Sequence, residues 1–270
     1  MKTPDKTIRQ SDLLKMPGFC FNTNLDIESF NITTKIRKNS TPLSYFFEVK
    51  AGMKVRKDFV GSSKSDSRFH KFILGSSIKP FVISWDNKYV CYDKKLESKF
   101  SNQAFRDENI FLAPQKLLVR QVMGKERIYA TIDRDNYYVD QSVYLILPEQ
   151  TISLEYILGL ICSKLMSYYF FNTISDRKQL FPKIKGVQIE QLPIRQISDS
   201  TTSDKKLHDK LVNNVIALIE LNQNISLAKS DYDKTTYARK IDSTERLIDE
   251  TTYELYGLTK EEIKIVEEYK

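Results

Sequence analysis

Three consecutive segments carry the strongest structural pattern in the sequence: QKLLVRQVMGKERIYATIDRDNYYVDQSVYLILP at residues 115–148, TISLEYILGLICSKLMSYYFFN at residues 151–172, and FPKIKGVQIEQLPIR at residues 181–195. The first contains short runs of apolar and β-branched residues, which predict strands at 117–121, 128–132 and 143–147. Turn-forming residues at Gly124 and at 133–136 separate these runs. The segment therefore predicts three strands in succession.

The second segment predicts a helix that covers the strands. Its apolar residues recur at helical spacing, at Ile157, Leu160, Ile161, Leu165 and Tyr168. Thr151 or Ser153 is placed to cap the first turn, and Glu155 suits the positive end of the helix dipole. The third segment predicts a closing strand and turn. Together the three segments predict one core.

Upstream of this core the pattern is weaker. Residues 1–40 are polar and indicate an arm or linker, in which apolar residues suggest one or two edge strands: Phe19, Phe21, Leu25, Ile27, Phe30 and Ile32. Residues 43–57 predict a strand, a turn at Gly52 and a basic loop. Asp86 and Asn87, between two β-rich runs, predict a hairpin.

Downstream of the core, residues 198–203 form a polar linker. In the residues that follow, the apolar positions are separated alternately by four and by three residues, which is the spacing of a helix–helix seam. The first helix has Leu207, Leu211, Asn214, Leu218, Leu221, Ile225 and Ala228 on this seam, and the second has Tyr237, Ile241, Thr244, Ile248, Thr251 and Leu255. A break at 230–233 predicts an antiparallel hairpin. Thr259 and Glu262 have the spacing of a capping box that begins a third helix. The hairpin is interpreted either as a cap on the core or as a spacer or docking arm.

The charge is uneven along the chain. The net charge is +7; residues from 203 onward hold 11 Lys and Arg against 14 Asp and Glu, which leaves 31 against 21 in residues 1–202. Residues 50–71 hold seven Lys and Arg against two Asp. A basic surface in the first three quarters of the chain suits a polyanion such as DNA, while a solvated surface that is incidentally basic is the alternative.

Four segments resemble those of a known family in their order and in their amino-acid sequences: KLLVRQ at 116–121, YYVDQSVYLIL at 137–147, YILGLICSKLMSYYF at 156–170 and FPKIKGVQIEQLPI at 181–194. They resemble the TaqI-like C-terminal specificity domain, the target-recognition part of adenine-specific DNA methyltransferases and fused restriction-modification enzymes, related to type I specificity subunits. The resemblance covers about residues 40–200. It implies an α+β fold, with a twisted mixed β-sheet and a packed core helix followed by a C-terminal helical hairpin.

This resemblance and the charge together give a functional hypothesis with three parts of the chain: an arm at 1–40, a DNA target-recognition domain at 41–197, and a helical hairpin at 198–270. The implied partners are double-stranded DNA and an adenine-specific methyltransferase, and the methyl donor S-adenosylmethionine would bind that partner. Lys and Arg suit phosphate contacts, and Arg also reads base edges. The candidate DNA contacts are Lys54, Arg56, Lys57, Lys64, Arg68, Lys71, Arg120, Lys125, Arg127, Arg177, Lys178, Lys183 and Lys185.

Aromatic residues near these contacts allow a second interpretation. Trp85 and the neighbouring tyrosines are able to stack on unpaired bases, but packing within the sheet is the more usual role of such residues. The basic loop at 54–71 has its own alternative, a mobile charged surface loop without a partner.

Several other site classes have little support. The cysteines, Cys20, Cys91 and Cys162, are odd in number and have no metal-binding spacing, which favours a reducing compartment. No signal peptide pattern begins the sequence, so we expect a cytoplasmic protein. His70 and His208 lack companion ligands, so no metal is assigned.

The sequence offers little support for a catalytic role. Neither the Asn/Asp-Pro-Pro-Tyr/Phe loop of an amino-methyltransferase nor a Walker loop, Gly-x-Ser-x-Gly or HExxH motif is present. Asp26, Glu48 and Lys50 have the D…ExK order of a metal-dependent nuclease, a pattern that often arises by chance in a chain with 29% charged residues. A nuclease therefore stays an alternative, as does a protein-interaction module that acts through the helical hairpin.

Overall fold

A computed structural model of the protein describes residues 26–95, 104–124, 126–150, 152–173, 183–197 and 202–269. The helices within these ranges are α1 (Ile27–Lys38), α2 (Asn109–Leu112), α3 (Leu154–Cys162), α4 (Lys164–Thr173), α5 (Gly186–Glu190), α6 (Thr202–Leu227), α7 (Asp231–Leu255) and α8 (Lys260–Glu268). The strands are β1 (Ser40–Pro42), β2 (Phe47–Ala51), β3 (Val60–Gly61), β4 (Phe69–Ile73), β5 (Ile78–Lys79), β6 (Val82–Ile83), β7 (Tyr89–Cys91), β8 (Lys116–Arg120), β9 (Ala130–Asp133), β10 (Tyr138–Val139), β11 (Val143–Pro148) and β12 (Pro193–Arg195).

The main sheet has the strand order β2-β11-β8-β9, and all neighbours are antiparallel. The three strands expected between residues 115 and 148 are therefore confirmed as β8, β9 and β11. The turn expected at 133–136 is also present, and Asn136 adopts the left-handed conformation with φ 56°. Asn tolerates this conformation better than most residues because its short side chain can bond locally.

The main sheet is the middle layer of the domain. On β8, Leu117 and Val119 contact the helices, while Leu118 between them contacts a second, smaller sheet. Because successive side chains on a strand point to opposite faces, both faces of β8 are buried. This explains why Leu117, Leu118 and Val119 are apolar in succession instead of alternating with polar residues.

The smaller sheet has the order β10-β4-β7-β3, with a parallel pair between β10 and β4 and antiparallel pairs elsewhere. The expected hairpin at Asp86–Asn87 is wrong. β6 before this turn pairs with β5, whereas β7 after it pairs with β3 and β4. The hairpin is instead formed by β5 and β6 and turns at Pro80 and Phe81. Phe81 has φ 65°, and burial of its ring in the core between the main sheet and the helices offsets the backbone strain.

The helical layer differs from the single long helix expected at 151–172. The chain forms α3 and α4 with a break at Ser163, whose hydroxyl donates to the carbonyl of Leu160 at 2.7 Å and accepts from the N–H of Met166 at 3.1 Å. Such side-chain bonds to the backbone compete with helix continuation. The cap at Ser153 is confirmed, because its hydroxyl accepts the N–H of Tyr156 at 3.1 Å.

The closing segment contains α5 and then β12, which pairs antiparallel with β1. The expected closing strand is therefore confirmed at its end, and a short helix replaces the preceding turn. The edge strands expected around Ile27, Phe30 and Ile32 are wrong, because these residues belong to α1, which Asp26 caps by accepting the N–H of Ser29 at 2.8 Å. The part of that expectation between residues 1 and 25 lies outside the described residues.

The C-terminal hairpin of α6 and α7 is confirmed, with a shorter break than expected because Ser230 already caps α7. Its proximal half packs on α3, where a Cβ at Gly159 would lie 2.9–3.0 Å from side-chain atoms of Leu211 and Val215. A side chain at this position would have to displace Leu211 and Val215, so glycine allows the two helices to pack this closely. From 219 to 247 no residue is fully buried, so the distal half of the hairpin projects from the core.

The capping box of Thr259 and Glu262 is also confirmed at the start of α8. The predicted combination of a mixed α+β domain with a C-terminal helical hairpin is therefore correct. Among the described residues, no helix is both long enough and apolar enough to span a bilayer.

Candidate nucleic-acid interface

The sheet topology brings several loops to one edge of the main sheet. β2 and β8 both run antiparallel to β11, with Ala51 opposite Tyr144 and Arg120 opposite Val143. The carboxyl ends of β2 and β8 therefore lie together at the beginning of β11. The basic loop after β2 and the Gly124 turn after β8 leave the sheet side by side, although about 70 residues separate them in sequence.

The turn between β10 and β11 holds these loops in place. The carbonyl of Ser142 accepts the N–H of Gln121 at 2.8 Å, and its hydroxyl accepts the N–H of Gly75 at 2.8 Å. The N–H of Gly52 donates to the carbonyl of Val143 at 2.9 Å. Three distant segments thus converge on one short turn.

Gly52 is required by this arrangement. A Cβ at this position would lie 2.1 Å from the carbonyl oxygen of Asp140, a separation that no side chain tolerates. The following residue, Met53, forms an isolated parallel bridge with Asp140 and donates its N–H to the carbonyl of Val139 at 3.0 Å. The basic loop is therefore fixed at its first residues by backbone contacts.

The closing segment joins the same edge. The N–H of Ile184 donates to the carbonyl of Gln121 at 2.9 Å, and Lys183 forms an isolated antiparallel bridge with Val122. The N–H of Lys185 donates to the Gln188 side chain at 2.8 Å, which begins α5. Lys183 and Lys185 are consequently exposed beside the Gly124 turn.

Five of the predicted contacts share this region, which we call the basic edge: Lys54, Lys57, Arg120, Lys183 and Lys185. The four lysines are exposed, and Arg120 is half-buried with its guanidinium carbon 5.4 Å from the centre of the Tyr129 ring. Within the described part of the chain, no carboxylate forms an ion pair with any of the five. Their charges are therefore available to an external anion.

Arg56, Arg68 and Lys71, which were also predicted as contacts, have partners within the protein. Arg56 pairs with Asp58 at 2.6 Å, and Arg68 pairs with Asp66 at 2.7 Å. Arg68 also precedes β4, at the opposite end of that strand from the basic edge. Lys64 is exposed in the loop that precedes β4. Lys71 lies over the rings of two aromatic residues, Trp85 at 5.3 Å and Tyr137 at 5.5 Å, so Trp85 packs within the sheet.

Arg127 was predicted as a DNA contact, but its side chain is buried against α7. Its guanidinium forms a two-pronged ion pair with Asp249 of α7, with N–O distances of 3.0 and 2.6 Å, and donates to the carbonyl of Cys162 at 2.9 Å. The side chain of Arg127 is only 12% exposed and that of Asp249 only 3%. Arg127 therefore connects the sheet to the helical hairpin and is removed from the candidate interface.

Three further predicted contacts, Lys125, Arg177 and Lys178, lie outside the described residues. Ser142 and the bonds it makes at the edge were not predicted from the sequence. These bonds join residues that are far apart in sequence, so no local pattern marks them.

The residues of the alternative nuclease triplet have local partners. Asp26 caps α1, and Glu48 forms an ion pair with Lys50 on β2. In the ranges that the structure describes, no group of three His, Cys, Asp or Glu side chains is placed to hold a metal ion. His70 stacks on the Tyr138 ring at 4.3 Å, and His208 lies 4.8 Å from the Tyr156 ring.

Comparison with protein families gives a match over residues 70–194, to the TaqI-like C-terminal specificity domain. This part of the chain is therefore similar to a TaqI-like C-terminal specificity domain. The matched residues extend from β4 to β12, and they include Arg120, Lys183 and Lys185 of the basic edge. No curated protein sequence matches the chain.

Three solved structures align with most of this chain. The type IIL restriction-modification enzyme MmeI in complex with DNA has a TM-score of 0.50 and 14% identity, over 83% of this chain and 35% of that chain. The type IIG restriction endonuclease BpuSI has a TM-score of 0.48 and 10% identity, over 85% and 33%. The HsdS subunit from Thermoanaerobacter tengcongensis has a TM-score of 0.39 and 8% identity, over 85% and 50%. This chain therefore spans about one third to one half of the length of these proteins, and the likeness to MmeI concerns the fold.

Proposed function

We propose that this chain selects a target sequence in double-stranded DNA for a restriction-modification system and directs a separate adenine-specific DNA methyltransferase, with or without an endonuclease, to that target. One observation carries the proposal: basic side chains from three distant segments of a specificity domain converge at one edge, and none of them has a carboxylate partner within the described residues. Several cations that are close together and unpaired are what a phosphate backbone requires.

The two kinds of side chain at this edge suit two kinds of contact. The exposed lysines, Lys54, Lys57, Lys183 and Lys185, would hold phosphates and so fix the position of the domain on the duplex. Arg120 is half-buried against Tyr129 and has less freedom, which favours a directional contact with a base edge. Gln141 is exposed on the turn that organises the edge, and an amide also suits base recognition.

The methyltransferase would dock on the distal half of the hairpin. Leu227 is 76% exposed and Tyr232 is 79% exposed, and the two flank the turn between α6 and α7. Large apolar side chains at the tip of a projecting element are typical of a protein contact. The methyl donor S-adenosylmethionine would bind the partner. A module that only binds proteins through this tip is the second candidate, and it predicts that the purified chain does not bind DNA.

Charge reversal separates these candidates. The double variant Lys54→Glu/Lys57→Glu should weaken binding to any duplex by about tenfold or more, and the slope of log affinity against log salt should become shallower by about 1.8, because two phosphate contacts are lost. The matched control is Lys229→Glu/Lys240→Glu, which makes the same charge change at exposed positions of the hairpin. Fluorescence anisotropy at several salt concentrations measures both quantities. Equal binding by wild type and the Lys54/Lys57 variant would remove the basic edge from the interface.

A further inference from the structure

A cavity of about 470 Å³ lies next to the basic edge. Its floor consists of Met53 and Phe72, which are almost completely buried, and its walls include the half-buried side chains of Val55, Val60 and Leu74. The cavity is therefore mainly apolar and lies between the smaller sheet and the loop that follows β2. Its volume is within the range of about 300–1,000 Å³ that small-molecule sites usually have.

Polar groups occupy one side and the mouth of this cavity. Asp140 and Gln141, from the turn between β10 and β11, supply a carboxyl group and an amide. Lys57 and Lys88 supply ammonium groups; Lys57 belongs to the basic edge, and Lys88 also pairs with Asp86. An apolar slot with a few convergent polar groups is the usual form of a site for a flat, partly polar ligand.

The wall that contains Asp140 is held rigidly. The carboxylate oxygen Oδ1 accepts hydrogen bonds from the N–H of Ser142, at 3.2 Å, and from its hydroxyl. The backbone of Asp140 lies directly against Gly52 and forms the bridge to Met53. Burial raises the pKa of Asp140, although the hydrogen bonds from Ser142 oppose this effect. This carboxyl group is thus positioned at the cavity as a hydrogen-bond acceptor.

From this geometry we propose that the cavity takes an unpaired thymine base from DNA bound at the basic edge. The inference rests on the proposed function. Thymine presents an acceptor, a donor and an acceptor along its pairing edge, and the cavity offers the complement: the Asp140 carboxylate for the N3–H donor, and the Gln141 amide and Lys88 ammonium for the carbonyl oxygens. The C5-methyl group and the faces of the ring suit the apolar walls. Lys57 at the mouth is placed for the adjoining phosphate.

The chemistry of adenine methylation supplies such a base. An enzyme that modifies adenine within a duplex must extrude it from the stack, and its partner thymine is then left without a pairing edge. A recognition domain that holds this thymine stabilises the opened duplex while the methyltransferase holds the adenine. The loops of the basic edge and the cavity share the turn at 140–143, which keeps the phosphate contacts and the base site in one rigid unit.

A single-nucleotide bulge provides the base without the methyltransferase. Four labelled duplexes of otherwise identical sequence are compared by anisotropy: fully paired, with a bulged thymine, with a bulged adenine, and with a bulged 3-methylthymine, which lacks the N3–H donor. Wild type should bind the thymine bulge about tenfold more tightly than the other three, since burying one unpaired base is worth about that factor. Val60→Trp, which fills the cavity, should abolish this preference while binding to the paired duplex is retained. Val82→Trp on β6, at a half-buried position that does not line the cavity, is the matched control.

A second variant keeps the fold and changes the chemistry. Asp140→Asn retains an oxygen that can accept from Ser142, but it lowers the acceptor strength at the cavity, so discrimination between thymine and 3-methylthymine should fall. Binding of all four duplexes with equal affinity by wild type would overturn the thymine site and leave the proposed function intact. Absence of binding to every duplex would overturn both. Micromolar binding of free thymidine monophosphate without DNA would show that the cavity serves a free nucleotide, which also contradicts the proposal.

Discussion

Removal of the Arg127 side chain should destabilise the fold without weakening the contact with DNA. In Arg127→Met, the Asp249 carboxylate loses both N–O contacts of 3.0 and 2.6 Å and keeps the N–H of Lys164 at 2.9 Å. Asp249 is 3% exposed, so water cannot replace the lost partner. Breaking a buried ion pair from one side typically costs about 3–5 kcal/mol, a large part of the roughly 5–15 kcal/mol by which a protein is stable.

The measurement is thermal and urea unfolding of wild type and variant, followed by DNA titration below the unfolding temperature. At about 2–4 °C for each kcal/mol, the melting temperature should fall by roughly 10 °C. Arg246→Met is the matched control, because its side chain is 77% exposed and its loss should change stability by less than about 0.5 kcal/mol. A stability loss below about 1 kcal/mol, or a tenfold loss of DNA affinity in the folded variant, would refute the structural role assigned to Arg127.

Three further outcomes are expected from buried positions. Gly159→Val should destabilise the protein by about 1–3 kcal/mol in urea unfolding, because α6 lies directly against α3. Gly61→Val is the control and should be much milder, because a Cβ at Gly61 would have only one atom within 4 Å. Equal effects of the two substitutions would argue against the packing of α6 on α3. Lys116→Met should cost about 3–5 kcal/mol, since it leaves the fully buried Asp133 without its ion-pair partner at 2.9 Å; a neutral result would show that the two are not paired. Burial raises the pKa of the Cys162 thiol to about 12, so iodoacetamide at pH 8 should modify it only after unfolding, and mass spectrometry of the native protein would reveal any earlier modification.

The main sheet could be predicted because its pattern is local. The β8 and β11 strands are short, apolar and bounded by turn residues, so strand propensity and burial favour the same structure. The helical hairpin was predictable for the same reason, since its seam repeats over many turns. Where several levels of pattern agree, the sequence is sufficient.

The errors occur where long-range contacts override local propensity. The Ile- and Thr-rich segment of α1 favours a strand by composition, but its buried residues, including Phe30, Thr33 and Ile36, lie on one face of a helix that packs on the core. The turn at Asp86–Asn87 is present, but its flanking strands pair with other partners. Hairpin signals describe a turn, and they do not determine which strands pair.

The candidate site was predictable only in part. Composition indicates that residues 50–71 are basic, but it does not separate Lys57, which is exposed and unpaired within the described residues, from Arg68, which is paired with Asp66. Nor does it distinguish an exposed cation such as Lys183 from the buried Arg127. These differences arise from antiparallel pairing and from the position of the hairpin, which depend on residues far away in the chain.

Selection from a random pool of duplexes tests whether this chain recognises a specific DNA sequence. The purified chain is mixed at near-physiological salt with duplexes that contain a randomised segment, and the retained fraction is sequenced, with Lys54→Glu/Lys57→Glu in parallel. We expect one short motif to be enriched by wild type and little DNA to be retained by the variant. Retention without enrichment, or no retention at all by wild type, would contradict the claim.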